Sequence, residues 1–515
     1  MPAVITDQIR VLNATNFVSG ISTTDNSYYV FIGLPNATSV ASDWNSNTPS
    51  PIDNFDEHDN IYDTLISAKK ITSSDVLRVI KKITWSSGTI YEMYRPDYSI
   101  NKLSPQTSST NLYSTNYYVM NSDFRVYECI YNGASPSNSG GGVISLEEPV
   151  HTDLQPRQES DGYVWKYLYT IKPSDVAKFE STDYMPVPTD WGTATDNSAV
   201  RDNAVDGSIK IVTVTNKGIG LGTANSTYTS VPIKGDGSGA ECTIVIDANQ
   251  QVSSVTVSAQ GSGYTYGNVD LVAGGVPTGT TRPTFDVIIP PQGGHGADIY
   301  RELGAYNVLL YSRIENDNNN PDFITGNQIA RVGVVENPEQ FGSTSLLSAD
   351  KASALGALKL VGSGYSTATF TADSYFTQTV STGTTAVGRV ISYDQNTGVL
   401  KYWQDRSLAG FNTVGTAQTQ PTYGFNLEEF TSSPGTGGAV TITPTTGVDL
   451  SIDSNFSGIS TVINNRTYYL GQTFTSGVAN PEVKKHSGNI IYVDNRPSIT
   501  RSSNQKEDIK VILQF

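Results

Sequence analysis

DGYVWKYLYTI, residues 161–171, decides the fold class. Tyr163, Trp165, Tyr167, Tyr169 and Ile171 alternate with Val164, Lys166, Leu168 and Thr170. A period of two places the first set on one face of a β-strand, as an aromatic ladder. Such a ladder serves core or interface packing. A sugar- or base-stacking platform is the sharper use, but Lys166 is the one charge that alternates with the rings, short of the charged groove a nucleic-acid platform requires.

The rest of the composition agrees with a strand-rich chain. Charged residues are 16% of 515, and Gly, Ser, Thr, Asn and Tyr fill the space. That mixture favours short strands and turns over long helices. The net charge of −16 repels phosphate backbones, so no nucleic-acid partner is expected. No apolar run approaches a membrane span, and MPAVITDQIRVLN lacks a basic segment followed by an apolar one, so neither membrane nor signal peptide is expected. Cys129 and Cys242 lie far apart without CxxC spacing, which indicates neither a zinc site nor a disulfide framework.

Outward from the ladder, residues 7–18 carry Ile9, Leu12 and Phe17 at helical spacing after a cap at Thr6 or Asp7. SYYVFIGLP (27–35) suits a strand buried on both faces. FDEHDNIYDTLISAKK (55–70) reads as one amphipathic helix with Phe55, Tyr62, Leu65 and Ile66 on its apolar side. VLRVIKKITW (76–85) and TIYEMYR (89–95) flank Ser86-Ser87-Gly88 as a hairpin. After residue 205, VTVTNKG (212–218) recurs as VTVSAQG (255–261), and ECTIVID (241–247) as TFDVIIP (284–290), both at an offset of 43. This is a two-copy β repeat. Residues 355–480 again read as all-β, with a hairpin at Asn396-Thr397-Gly398.

Candidate chemistry is sparse. His58, His151, His295 and His486 lie on four separate segments without paired-His spacing, so no metal site is expected. Glu315, Asp317, Asn319 and Asp322 lack the Gly and distal Glu of a calcium loop and read as a solvated turn. GDGSGA (235–240) sits inside the β repeat with no following helix and reads as a hairpin loop. In HSGNIIYVDNRPSI (486–499), His486 and Ser487 are adjacent and Asp494 lies beyond an apolar strand, a poor triad. Pro497 is expected to end that strand, and IKVILQF with Ile509, Val511, Leu513 and Phe515 inward to close a C-terminal hairpin. No catalytic residue and no cofactor are expected.

The 486–499 stretch with its terminal strand resembles the C-terminus of a baseplate wedge protein of T4-type contractile-tailed bacteriophages, the wedge subunit numbered eight in that gene series. DGYVWKYLYTI resembles a second signature of the same family. Arg95-Pro96-Asp97-Tyr98 and IARVGVVENPE (329–339) are similar to family segments in order. The resemblance covers roughly 1–200, 295–345 and 480–515. It implies a mainly β protein: a layered antiparallel β-sandwich core with short helices in loops. It also implies a homodimer without catalytic activity that joins other baseplate wedge subunits, is assembled in the host cytoplasm and works in the virion's tail baseplate. The matching residues are Asp161, Gly162, Tyr163, Trp165, His486, Ser487, Gly488, Asn495, Arg496 and Pro497, expected to serve fold or interface.

The expected domains are a core in three pieces (1–204, 293–348 and 479–515) interrupted by the repeat module (205–292) and a second all-β region (349–478). A competing reading makes these inserted modules a host-glycan-binding tail adhesin.

Overall fold

The computed structural model describes residues 5–23, 25–35, 44–189, 191–192, 198–315, 328–372, 375–381, 384–404, 441–442, 450–502 and 505–515. The protein is mainly β, with several antiparallel sheets and few short helices. No helix among the described residues is long and apolar enough to cross a membrane. The chain divides into two compact units: Met1–Val18, Val76–Leu310 and Val511–Phe515 form the first, Ser19–Asp75 and Tyr311–Lys510 the second.

In the first unit, the ladder segment is the strand Val164–Thr170, in a sheet ordered 118–120, 125–131, 164–170, 157–158. It is buried on both faces: Trp165, Lys166, Leu168 and Tyr169 are all buried, while Tyr167 is only half-buried. The one-sided ladder is therefore corrected. The neighbouring strand Arg125–Tyr131 bulges at Val126/Tyr127 and Cys129/Tyr131, shifting the pairing and breaking strict alternation. Opposite, Val76–Lys81 pairs with 307–310 and with Tyr184–Pro186. One apolar cluster joins Ile80 and Met185 of that sheet to Val119, Tyr127, Trp165 and Tyr169 of the first, so the two sheets share a core. The expected 76–95 hairpin does not form. Gly88 does take a left-handed turn (φ 85°), but Thr84 bridges to Met120 and Thr89 to Ser145. Those partners take up the polar groups a hairpin would have paired.

The 43-residue repeat has a structural meaning. Val214 faces Phe285, Thr213 faces Asp286 and Val212 faces Val287. Moved by 43, the same pairs become Val257 with Cys242, Thr256 with Thr243 and Val255 with Ile244. The first strand of each copy thus pairs with the second strand of the other. Even the bulge repeats, at Glu241/Cys242 and Thr284/Phe285. Two-copy exchange satisfies strands that one copy alone would leave unpaired. The strand Ser238–Ile246 alternates strictly after its start, burying Ala240, Cys242, Ile244 and Ile246 in a local core with Val212, Val231, Val252 and Tyr264. GDGSGA turns the hairpin between Thr227–Gly235 and Ser238–Ile246. Both cysteines are free and buried.

In the second unit, the sheet order is 351–353, 65–71, 28–33, 328–336, 489–500. Tyr28–Gly33 is buried at every position. Tyr29 and Phe31 face a cluster with Ile61 and Val335, and Ile32 faces one with Ile391 and Trp403. The expected 55–70 helix is shorter. Phe55–Thr64 is helical, capped by Asn54, whose side chain accepts the Glu57 N–H at 2.8 Å, and Leu65–Ile71 is a strand. Leu65 and Ile66 sit in different clusters, one on each sheet face, which a helix could not achieve. Phe55 is exposed, and Ile61 is the buried residue of that helix with Thr64. The turn at 395–398 joins Thr384–Asp394 to Val399–Trp403 as expected, with the Gly398 N–H donating to the Asp394 carbonyl at 2.7 Å.

Two terminal readings are corrected. Asp7–Ile21 is a helix, but it buries Val11, Ala14 and Ile21 and exposes Ile9 and Leu12. The expected C-terminal hairpin is absent. Asn489–Thr500 and Lys506–Gln514 belong to different sheets. Pro497 does not end its strand, because that strand lies at a sheet edge and the register shifts between Ile329 and Arg331, where a missing N–H costs no ladder bond. Of the four residues expected inward, only Val511 is fully buried.

Candidate functional site

The most concentrated buried polar chemistry lies in the first unit, where sequence reasoning placed none. The segment 293–302 builds it. Gly293, Gly294 and Gly296 have φ of 87°, 92° and 88°, a region closed to most side chains. A Cβ on Gly294 would stand 2.3 Å from the Val205 carbonyl oxygen. This glycine run turns His295 inward. The short helix Ile299–Glu302 follows, with Asp298 accepting the Tyr300 and Arg301 N–H groups, and it delivers Glu302. Glu128 comes from the middle of the strand Arg125–Tyr131, opposite Lys166.

His295 Nδ1 lies 2.8 Å from Glu128 Oε2 and 2.8 Å from Glu302 Oε1. Glu302 Oε2 accepts the Gly296 N–H at 2.7 Å. Both carboxylates are fully enclosed. Tyr94 packs its edge against the imidazole, ring centroids 4.9 Å apart, and the Tyr117 hydroxyl donates to the Glu302 carbonyl at 2.5 Å. The Lys166 ammonium donates to the Leu154 carbonyl.

Burial opposes charge at each group, and the neighbours then decide. Burial works against the imidazolium, but Glu128 and Glu302 outweigh it and hold His295 at about 9. Glu128 is pushed up to about 8 by burial and by the facing Glu302. Burial raises Glu302 as well, yet hydrogen bonds from His295 and the Gly296 N–H carry it below its ordinary value. Burial lowers Lys166. The four histidines are on separate segments, as read, but the fold brings His295 between two fully buried carboxylates. The legible signal was a His inside GGHG followed seven residues later by a Glu.

The signature residues do different work. Asp161 Oδ2 accepts the Leu146 and Glu147 N–H groups at 2.8 and 3.1 Å, and its Oδ1 accepts the Tyr163 N–H at 3.0 Å. Gly162 has φ 92°. The Tyr163 hydroxyl donates to the Val143 carbonyl and accepts the Tyr91 N–H, and its ring stacks on Trp165 at 5.3 Å. These residues pin 143–147 to the strand.

In the second unit, His486 and Ser487 do not join. The His486 ring lies 3.2 Å from Asp59 and 2.9 Å from Asp63 of the helix 55–64. The Ser487 hydroxyl accepts the Glu339 N–H and donates to the Lys484 carbonyl. Asp494 instead meets Arg496 at 2.5 Å, and the Arg496 carbonyl accepts the Trp44 indole N–H. Gly488 has φ 77°, and a Cβ there would stand 2.4 Å from the Glu336 carbonyl oxygen. Asn495 Oδ1 accepts from Arg331, a fully buried arginine that sequence reading missed. Arg331 also reaches Thr64 and Glu57 at 2.8 Å and stacks 5.1 Å from the Trp44 ring. Pro497 lies in the edge strand described above. The solvated turn read at 315–322 falls outside the described residues except Glu315, which pairs with Lys506 at 3.0 Å.

No protein-family model matches the chain, and no curated protein matches it.

Proposed function

We propose that this chain is a structural subunit of a contractile phage tail baseplate wedge, a homodimer that joins other wedge subunits in assembly and takes part in the rearrangement that triggers sheath contraction. The observation that carries the reading is where the family-like residues fall. Asp161 and Tyr163 in one unit, and Ser487 and Asn495 in the other, hydrogen-bond to segments distant in the chain, Gly162 and Gly488 take left-handed backbone, and Trp165 packs in the core. Residues that serve architecture suit a scaffold subunit. The exposed Val143, Ile144, Leu146 and Val150 beside the Asp161 anchor supply apolar surface for a neighbour.

Light scattering on the purified chain at micromolar concentration tests the oligomeric part. A mass of two chains supports it, and a strict monomer contradicts it.

A further inference from the structure

We infer that Glu128, His295 and Glu302 form a structural binding site for one divalent transition-metal ion, zinc foremost. The groups offer a ring nitrogen and carboxylate oxygens, all within 4.8 Å of one another and all buried. One His with two carboxylates matches the donors zinc takes and balances its double charge.

The donor count argues for a cation. Two enclosed carboxylates present four oxygens. Apart from the Gly296 N–H and a hydrogen bond between Glu128 and Glu302 themselves, both share the single Nδ1 of His295. Glu128 Oε1 is buried and has no hydrogen-bond partner. A buried carboxylate oxygen left so is costly. Among the described residues, Lys166, the cation opposite Glu128 in the sheet, donates to the Leu154 carbonyl and hydrogen-bonds neither carboxylate, though both carboxylates act on its charge.

The spacing fits as well. Two zinc ligands at about 2.0–2.1 Å stand roughly 2.9 Å apart at a right angle and about 3.4 Å apart in a tetrahedron. The 2.8 Å approaches therefore open by about half an ångström or less when an ion enters. The Gly296 N–H on Glu302 orients that ligand from behind. The ion would fasten the strand 125–131 to the loop 293–302, segments 167 residues apart at Glu128 and His295. Full enclosure marks a structural site rather than a catalytic one, which keeps an open position.

The test uses the full chain, purified without a metal-affinity step. Its metal content is read by plasma mass spectrometry as isolated, and again after chelator stripping and incubation with zinc or manganese alone. The expected result is about one ion per chain in the wild type and almost none in Glu128→Gln. Melting of the stripped wild type should also rise when zinc is restored. Glu128→Gln is the informative variant because it preserves shape. If a shared proton alone joins the three residues, the wild type takes up no ion and the variant folds normally, and the inference falls. Equal binding by wild type and Glu128→Gln also overturns it, since the ion then sits elsewhere. Should the variant fail to fold, X-ray absorption at the zinc edge of the wild type decides. One imidazole with oxygen ligands supports the site, and sulfur ligands or no bound zinc overturn it.

Discussion

Trp165 is fully buried between Tyr163, stacked at 5.3 Å and 11°, and Tyr91, edge-on at 5.7 Å and 70°. Truncating a buried Trp to Ala costs about 3–5 kcal/mol from lost burial and the cavity left behind. Each ring pair adds roughly 0.5–1.5 kcal/mol beyond burial. Trp165→Ala should therefore lose about 4–8 kcal/mol, a large share of the roughly 5–15 kcal/mol that holds a domain. Trp165→Phe should behave differently. It keeps a ring against Tyr163 and removes an indole N–H that finds no acceptor among the described residues. Removing that unpaired donor offsets part of the lost volume, so about 1–2 kcal/mol is expected. Urea unfolding followed by near-ultraviolet circular dichroism reads both variants. An unchanged Trp165→Ala midpoint would refute the core role of this ring, as an exposed stacking platform requires. A Trp165→Phe loss as large as that of Trp165→Ala would refute the account of the unpaired N–H.

Arg331→Met strips partners from Thr64, Asn495 and Glu57 and should destabilise by about 3–5 kcal/mol in thermal or urea melts, because it leaves polar groups buried without a partner. Gly488→Ala combines left-handed backbone with a clash on the Glu336 carbonyl, and should cost at least about 1–3 kcal/mol in the same melts. Acid stability should fall through the pair Asp97 and Asp286. Burial raises both, but hydrogen bonds from Arg95 and Lys102 outweigh it, holding Asp97 at about 2 and Asp286 below its ordinary value. A depressed carboxylate stabilises above its unfolded value and loses that contribution as pH falls through the folded one. Melting temperature should thus drop below about pH 4 and continue dropping toward pH 2. Asp286→Asn should flatten that part of the profile.

The strand-rich class was legible in 241–246, where local pattern and burial agree, whereas 164–170 is a strand whose alternation is not matched by its burial, because both faces are covered. The repeat was legible as an offset, but its crosswise pairing was not, since two copies of one sequence can pair within or between themselves with equal local cost. Leu65 and Ile66 misled because two adjacent apolar residues fit a helix face as well as a strand covered on both sides. The tail misled because alternation in 509–515 says which side faces inward, not how much covers it. The site with His295 was hidden by sequence distance: Glu128 looks like one more polar residue in a strand until the loop at 293–302 closes over it. His486 and Ser487 were legible as adjacent, but only the fold shows them serving Asp63 and Glu339 separately.

Labelling virions with antibodies raised against this chain, viewed by electron microscopy, tests the baseplate proposal most directly. The account expects gold at the baseplate in symmetric positions around the tail, on both extended and contracted particles. Gold at fibre tips, or on no part of the particle, would contradict it.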